Sequence, residues 1–254
     1  MDNNGSNLGR WQRKFWLGAA VIAPISPFLL LQGQIVRWKV GVLPDAAGDK
    51  SGRYGEGENP AKLFVIGEST VAGLGARNHE LALAGQFAKH LSEHIARPVD
   101  WTLIGKNGVT ARRTIDELLP KMPDEHFEYI LVGLGGNDVM KLSSPAKWRS
   151  DMIELLGLLR EKCPDAVIFI TNCPMIIFSP IMPFPIKPIL WKLSQMHNAN
   201  IQEFTRDMNR IFYYPQPVDV QLDGFFADGI HPSEQGYRDW ADAMIRYFSA
   251  NHQW

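Results

Sequence analysis

Short apolar segments alternate along the chain with longer segments in which apolar residues recur at helical spacing. The short segments predict strands at residues 63–66, 99–104, 129–134 and 167–171, and a shorter one near 211–214. The helical spacing predicts helices at residues 79–96, 110–119, 146–162, 192–210 and 233–249. Because apolar strands alternate with helices, we expect an α/β fold, a three-layer α/β/α sandwich around a five-stranded parallel sheet.

The N-terminus has a different pattern, an uncharged run from Phe15 to Val36 that basic residues flank on both sides. As a helix the run would extend about 33 Å, roughly the thickness of a bilayer core. Pro24 and Pro27 interrupt it, and tryptophans typical of membrane interfaces lie near its ends. We expect residues 1–43 to associate with a membrane (the inner membrane in a bacterium), spanning it or lying in its interface. The alternative is an apolar helical arm that packs on the domain or on a second subunit of a homo-oligomer.

Residues 44–60 carry four glycines, two prolines and six charged residues, with little to bury. This composition predicts a solvated linker, so we expect the folded domain to extend over residues 61–254.

Overall charge and cysteine content exclude several classes of protein. The 26 Lys and Arg residues nearly balance the 27 Asp and Glu residues, which argues against a nucleic-acid partner. Cys163 and Cys173 are too few for a disulfide framework or a four-cysteine zinc site.

Glycine-rich and polar loops follow the predicted strands. In a parallel sheet, active residues gather beyond the carboxyl ends of the strands. Ser69 follows the first strand, Gly108 the second, with Gly105 as a competitor, and Asn137 the third. The small residues after Ser69 favour a tight turn into a helix whose N-terminus would direct N–H groups at the site. Taken alone, such a serine is more often a turn or cap residue.

An aspartate and a histidine precede the last predicted helix. Asp228 lies three residues before His231, close enough for its carboxylate to reach the imidazole and select the tautomer. Combined with Ser69, the pair indicates nucleophilic catalysis.

These segments resemble the SGNH hydrolase superfamily, also called GDSL-type esterases and lipases, over about residues 61–250. The matching segments are, in order, Gly67-Glu68-Ser69-Thr70, Gly108, Gly135-Gly136-Asn137-Asp138 and Asp228-Gly229-Ile230-His231. The first departs from the usual Gly-Asp-Ser because Glu68 replaces the aspartate. The resemblance implies a flavodoxin-like fold and hydrolysis of carboxylic esters without a metal or organic cofactor.

The resemblance also implies a role for each residue. Ser69 would be the nucleophile, His231 the base that takes its proton, and Asp228 the group that orients the imidazole. The backbone N–H groups of Ser69 and Gly108 and the side-chain amide of Asn137 would form the oxyanion hole.

A competing motif, H-x-x-E-H, occurs at His90, Glu93 and His94, a spacing found in some zinc proteases. The two histidines border the apolar stripe of a helix and lie away from the carboxyl-end loops. Packing or surface roles are therefore the simpler interpretation.

The substrate class is suggested by residues 174–188, which contain five prolines and a single charge. So apolar a loop favours an acyl-pocket wall, a lid or a membrane-dipping lip, and hence lipid-like or medium-chain esters. Otherwise the loop packs against the N-terminal apolar segment or a partner subunit. The alternatives are a carbohydrate O-acetylesterase, acyl transfer to an acceptor other than water, and a non-catalytic lipid-binding protein.

Overall fold

The computed structural model describes residues 4–41, 43–217 and 222–254, so residues 1–3 and 42 of the predicted N-terminal segment lie outside the described residues. A sheet of six strands in the order β1-β3-β2-β4-β5-β6 lies at the centre. The strands are β1 Ser51–Tyr54, β2 Ala61–Gly67, β3 Val99–Gly105, β4 Tyr129–Gly133, β5 Val167–Ile170 and β6 Ile211–Tyr213. Strands β2 to β6 are parallel, which confirms the five predicted strands.

The sixth strand comes from the segment that the composition predicts to be a solvated linker. Strand β1 pairs antiparallel with β3, and Gly52 lies against the ring of Trp101. Just before it, the backbone N–H of Ala46 donates to the carbonyl of Ala72 at 3.0 Å. The open edge of β3 has backbone groups to satisfy, and a polar, glycine-rich strand can pair with them while its side chains remain in water. At these positions the segment is part of the sheet and not a linker.

Helices cover both faces of the sheet, as the alternating pattern predicts. Side chains of β2 alternate between two apolar clusters, with Leu63 and Val65 on one face and Phe64 and Ile66 on the other. The helices of the first face are α3 Leu83–Ile95 and α8 Glu234–Asn251. Those of the second face are α4 Ala111–Arg113, α6 Pro145–Lys162 and α7 Ile186–Thr205. A short helix, α5 Gly136–Met140, follows β4.

Three helices differ clearly from their predictions, and one of them, α3, begins at Leu83 and not at residue 79. The predicted helix over 110–119 consists of α4, a π turn at Thr114–Leu118 and a 3-10 turn at Leu119–Lys121. The helix predicted over 192–210 spans Ile186–Thr205, so it begins earlier, inside the proline-rich segment, and also ends earlier. Pro188 lies in its first turn, where no backbone N–H needs an intrahelical partner, so the proline does not prevent the helix.

The N-terminal arm consists of α1 Asn4–Ile22, a 3-10 turn at Ala23–Ile25 and α2 Ser26–Val40. Its stretch Asn7–Val36 is long and apolar enough to span a membrane or to serve as a signal sequence. One side of the arm packs along the domain, where Phe15 joins a cluster that includes Leu190 and Leu193 of α7. The other side exposes large apolar side chains, among them Trp16, Leu17, Val21, Phe28, Leu31 and Trp38.

Candidate active site

Ser69 lies in a tight turn beyond the end of β2 and is largely buried. The backbone N–H groups of Val71 and Ala72 both donate to the carbonyl of Glu68 at 3.0 Å. The turn does not continue into a helix, contrary to the sequence-based expectation, and α3 begins only at Leu83. Gly73 and Gly75 explain the difference, because their φ angles of 77° and 96° do not fit a right-handed helix.

Ser69, His231 and Asp228 form one hydrogen-bonded chain. The Oγ atom of Ser69 is 3.2 Å from Nε2 of His231, and Nδ1 of His231 is 2.7 Å from Oδ2 of Asp228. The serine comes from the end of β2, whereas the other two residues lie in the loop before α8. The fold thus brings Ser69 next to His231 and Asp228, although the serine is far from both of them in sequence. A base between a hydroxyl and a carboxylate is the arrangement that can activate a serine.

The Asp228 carboxylate is held by its own loop as well as by the imidazole. Its Oδ1 atom accepts the backbone N–H groups of Ile230 at 2.8 Å and His231 at 2.7 Å. Burial acts to raise the pKa of Asp228, but the hydrogen bonds from His231 and Ile230 outweigh it and hold the pKa below its ordinary value. Asp228 is therefore ionised at neutral pH and can stabilise an imidazolium.

Glu68 binds the loop that carries Asn137. Its carboxylate accepts the backbone N–H of Gly136 at 2.7 Å, the backbone N–H of Asn137 at 2.8 Å, and one hydrogen of the Asn137 side-chain amide. Burial raises the pKa of Glu68 to about 7, although these donors act to lower it. The contact orients the Asn137 amide, and the second amide hydrogen is not used by Glu68. The sequence analysis did not assign to Glu68 this role of holding Asn137. The available signal was the glutamate itself, which follows Gly67 where an aspartate is usual.

Asp138 connects the loops beyond β3 and β4. Its Oδ2 atom accepts the backbone N–H of Ala111 at 2.9 Å, and its Oδ1 atom accepts the hydroxyl of Ser143 at 3.0 Å. The side chain is fully buried, and burial raises the pKa of its carboxyl. Since Ala111 begins α4 just after Gly108, this contact fixes the Gly108 loop relative to Asn137.

Gly108 and Gly105 have different environments. Gly108 has a φ of 81°, and a Cβ at its position would meet nothing within 4 Å. It faces the same cavity as Ser69 and Asn137. Gly105 packs against the turn after Ser69, because a Cβ there would come within 2.3 Å of the backbone nitrogen of Ala72. This environment indicates a packing role for Gly105 and favours Gly108 as the residue that faces a ligand.

A cavity of about 1660 Å³ opens at the site. Ser69, Gly108, Asn137 and His231 contribute to its lining, together with residues of the proline-rich segment and of the N-terminal arm. The segment is also tied to the loop that carries Asp228 and His231, because the hydroxyl of Ser179 donates to the carbonyl of Gly229 at 2.6 Å. The cavity is larger than the roughly 300–1,000 Å³ of a typical small-molecule pocket.

His90, Glu93 and His94 of the H-x-x-E-H motif are not among the residues that line this cavity. His90 contacts Glu93 and approaches Asp242 of α8, and His94 lies against Ser249 and the ring of Trp254. These contacts join α3 to the C-terminal helix. In the part of the chain that the structure describes, no group of three or more His, Cys, Asp or Glu residues could hold a metal ion.

Comparison with known families and structures gives one sequence match and many structural ones. The profile of the GDSL-like lipase/acylhydrolase family matches residues 65–238. A lipase from a goat rumen metagenome is similar with a TM-score of 0.60 and 16% identity, covering 75% of this chain and 96% of the lipase. No curated protein matches this chain.

Two further structures represent other esterases. The psychrotrophic esterase EstA from Pseudoalteromonas sp., solved inhibited by monoethylphosphonate, has a TM-score of 0.56 and 15% identity, covering 75% of this chain and 99% of that one. A family two carbohydrate esterase from Clostridium thermocellum has a TM-score of 0.52 and 15% identity, covering 76% of this chain and 65% of its own. At such low identity these likenesses establish the shared fold.

Proposed function

Because the chain belongs to the GDSL-like lipase/acylhydrolase family, we propose that it hydrolyses carboxylic esters through an acyl-enzyme on Ser69. The observation that carries the proposal is the hydrogen-bonded chain from Ser69 through His231 to Asp228, which borders the large cavity.

The reaction follows from the chemistry of these three side chains. A serine hydroxyl is a weak nucleophile, so Nε2 of His231 takes its proton as Oγ attacks the ester carbonyl. The imidazolium then returns the proton to the leaving alcohol oxygen as the ester C–O bond breaks. Asp228 orients the ring and stabilises its charge in both steps. In the second half, His231 takes a proton from the water that attacks the acyl-enzyme carbonyl, and it returns this proton to Oγ of Ser69 as the acyl C–O bond breaks and the acid leaves.

The negative charge on the tetrahedral intermediate requires donors close to Ser69. We assign this role to the backbone N–H groups of Ser69 and Gly108 and to the Asn137 amide. The contact with Glu68 supports the assignment of Asn137, because it holds the amide in place before the charge develops.

The cavity favours an ester with a lipid-like or medium-chain acyl group. Its lining includes Met175, Ile176, Phe178 and Met182 of the proline-rich segment, which offer a hydrocarbon chain apolar contact. An acetyl group would leave most of this space unused. The exposed apolar side of the N-terminal arm supports association with a membrane, where such esters occur.

The test is hydrolysis of p-nitrophenyl esters from acetate to palmitate by the full chain and by Ser69→Ala. We expect Ser69→Ala to lose at least about 10³-fold in kcat, because the nucleophile is removed. Ser150→Ala, which changes an exposed serine on α6, is the matched control and should keep full activity.

The chain-length profile distinguishes the candidate substrates. A preference for hexanoate or longer supports the lipid-like class, whereas activity on acetate alone would favour a carbohydrate O-acetylesterase. If Ser69→Ala retained wild-type activity, the proposed mechanism would be wrong. If no ester were hydrolysed, labelling of Ser69 by a fluorophosphonate would separate acyl transfer from a non-catalytic lipid-binding role.

A further inference from the structure

One side of the N-terminal arm faces the cavity that contains Ser69. The positions that line the cavity recur every three or four residues through the kink, as expected for one face of a helix. They include Phe15, Gly18, Ile22, Ser26, Leu29, Gly33 and Val36, and some neighbours of these positions, such as Ala19 and Leu30, also border the cavity. Across the cavity lie residues of the proline-rich segment and α7, among them Ile176, Met182 and Leu190.

The arm is attached to the domain at several points along its length. The side chain of Asn7 donates to Glu203 at 2.8 Å, and the side chain of Gln12 accepts the backbone N–H of Ala146 at 3.0 Å. Near the other end, the Gln32 amide donates to the carbonyl of Phe184 at 2.9 Å. These contacts hold the arm along the domain and over the cavity, so that it forms a wall of the site.

The space between the arm and α7 is apolar. The charged and amide side chains there, those of Lys14, Gln34 and Lys192, are exposed to solvent. The hydroxyl of Ser26 already donates to the carbonyl of Ala23 at 2.7 Å. A sugar or a charged group would therefore find few hydrogen-bond partners there to replace those it has in water, whereas a hydrocarbon chain has no such hydrogen bonds to lose.

We propose that the N-terminal arm is one wall of the acyl-binding site, and that the substrate's acyl chain lies between the arm and α7 while its carbonyl reaches Ser69. This inference rests on the proposed function, which it extends by assigning recognition of long acyl chains to the arm. It gives the cavity-lining residues of the arm, between Phe15 and Val36, a role in substrate selection in addition to membrane association.

Gly18 is the position at which this proposal is most directly tested. A Cβ at Gly18 would meet nothing within 4 Å, so a larger side chain can be added without a clash and would extend into the cavity. Gly9 provides a matched control on the same helix, because its Cβ also would meet nothing within 4 Å and it does not line the cavity. Both substitutions by leucine improve helix propensity equally, so this effect cancels.

The experiment compares kcat/KM for p-nitrophenyl palmitate and acetate in the full chain, Gly18→Leu and Gly9→Leu. Each buried methylene contributes roughly fourfold to binding, and the added leucine removes room for two or more of them. We therefore expect the palmitate-to-acetate ratio to fall about tenfold or more in Gly18→Leu and to stay at the wild-type value in Gly9→Leu. A ratio unchanged in Gly18→Leu, with both esters affected equally, would overturn the proposal.

A second measurement separates this proposal from the proposed function. Binding of palmitate itself, measured by calorimetry in a Ser69→Ala background, does not depend on catalysis. We expect Gly18→Leu to weaken palmitate binding about tenfold relative to Gly9→Leu. If no ester is hydrolysed but this difference is found, the proposed function fails and the acyl-binding wall stands. If palmitate binds equally to the Gly18→Leu and Gly9→Leu variants, or binds to neither of them, the proposal of an acyl-binding wall is wrong.

Discussion

The cavity has two walls that are built in different ways. The polar wall consists of the loops that follow β2, β3 and β4 and the loop before α8, and its functional groups are held by buried hydrogen bonds such as those of Glu68 and Asp138. The apolar wall consists of the N-terminal arm, the proline-rich segment and α7. Its arm has an exposed outer side, on which Val21 retains 78% of its accessible surface.

The two walls differ in how precisely each must place its side chains. The polar wall must place charged and polar groups within tenths of an ångström, which requires rigid neighbours. In the proposed acyl-binding site, the apolar wall has only to offer non-directional contact to a hydrocarbon chain, which tolerates a kinked helix and a proline-rich loop. Substitutions in the polar wall should lower the rate of hydrolysis of every ester equally. The effect of substitutions in the apolar wall should depend on the length of the acyl chain.

The largest expected effect in the polar wall, beyond removal of the nucleophile, comes from Asn137→Ala. Asn137 is a proposed oxyanion donor, and loss of one such donor typically lowers kcat by about 10²–10³-fold. We expect this loss for acetate and palmitate alike, measured as kcat with each p-nitrophenyl ester, and no change in Asn209→Ala, which alters an exposed asparagine. A loss confined to palmitate would contradict the division between the two walls.

A smaller effect is expected from the buried charge of Glu68. The pKa of about 7 in the folded state lies above the ordinary value of 4.5, so the folded state binds the proton more tightly than the unfolded state. Its contribution to the free energy of unfolding is therefore complete below about pH 4.5 and is lost as the pH rises through about 7, by at most about 3 kcal/mol.

Urea unfolding between about pH 5 and 8 checks this sign. Glu68→Gln cannot titrate, so its free energy of unfolding should rise relative to that of the wild type as the pH increases. Glu161→Gln, which changes an exposed glutamate on α6, should follow the wild type. A difference between Glu68→Gln and the wild type that does not vary with pH would show that Glu68 stays ionised throughout.

The smallest effect is expected on the outer side of the apolar wall. Val21→Arg places a charge where the arm would contact a membrane, which should lower partitioning into vesicles at least about tenfold by loss of apolar burial. Sedimentation with phosphatidylcholine vesicles measures it. Ile153→Arg, at a partly exposed apolar position on α6, is the control and should not change partitioning. Equal partitioning of Val21→Arg and the wild type would argue against membrane contact through this side.

The sequence alone predicted most of the fold, because the signals involved are local. Strands β2 to β6 were recognisable from apolar segments, and α8 from its helical spacing. In the structure Ser233 caps α8, and its hydroxyl accepts the backbone N–H of Gly236 at 3.1 Å. The sequence did not predict β1, whose polar residues carry no strand pattern and pair only because β3 offers an edge. It also predicted a helix after Ser69, where two glycines at positive φ prevent one.

The order of the chemical groups along the chain was likewise determined by the sequence, since Ser69, Asn137, Asp228 and His231 follow strands or precede a helix that local patterns define. Tertiary structure decided how these groups are held and what lies above them. Glu68 contacts Asn137 across 69 positions and Gln32 contacts Phe184 across 152, and no local pattern reports such pairs. Whether an apolar N-terminal helix leaves the domain or covers its cavity depends on contacts of this kind, because its hydrophobicity favours a membrane and a protein surface equally.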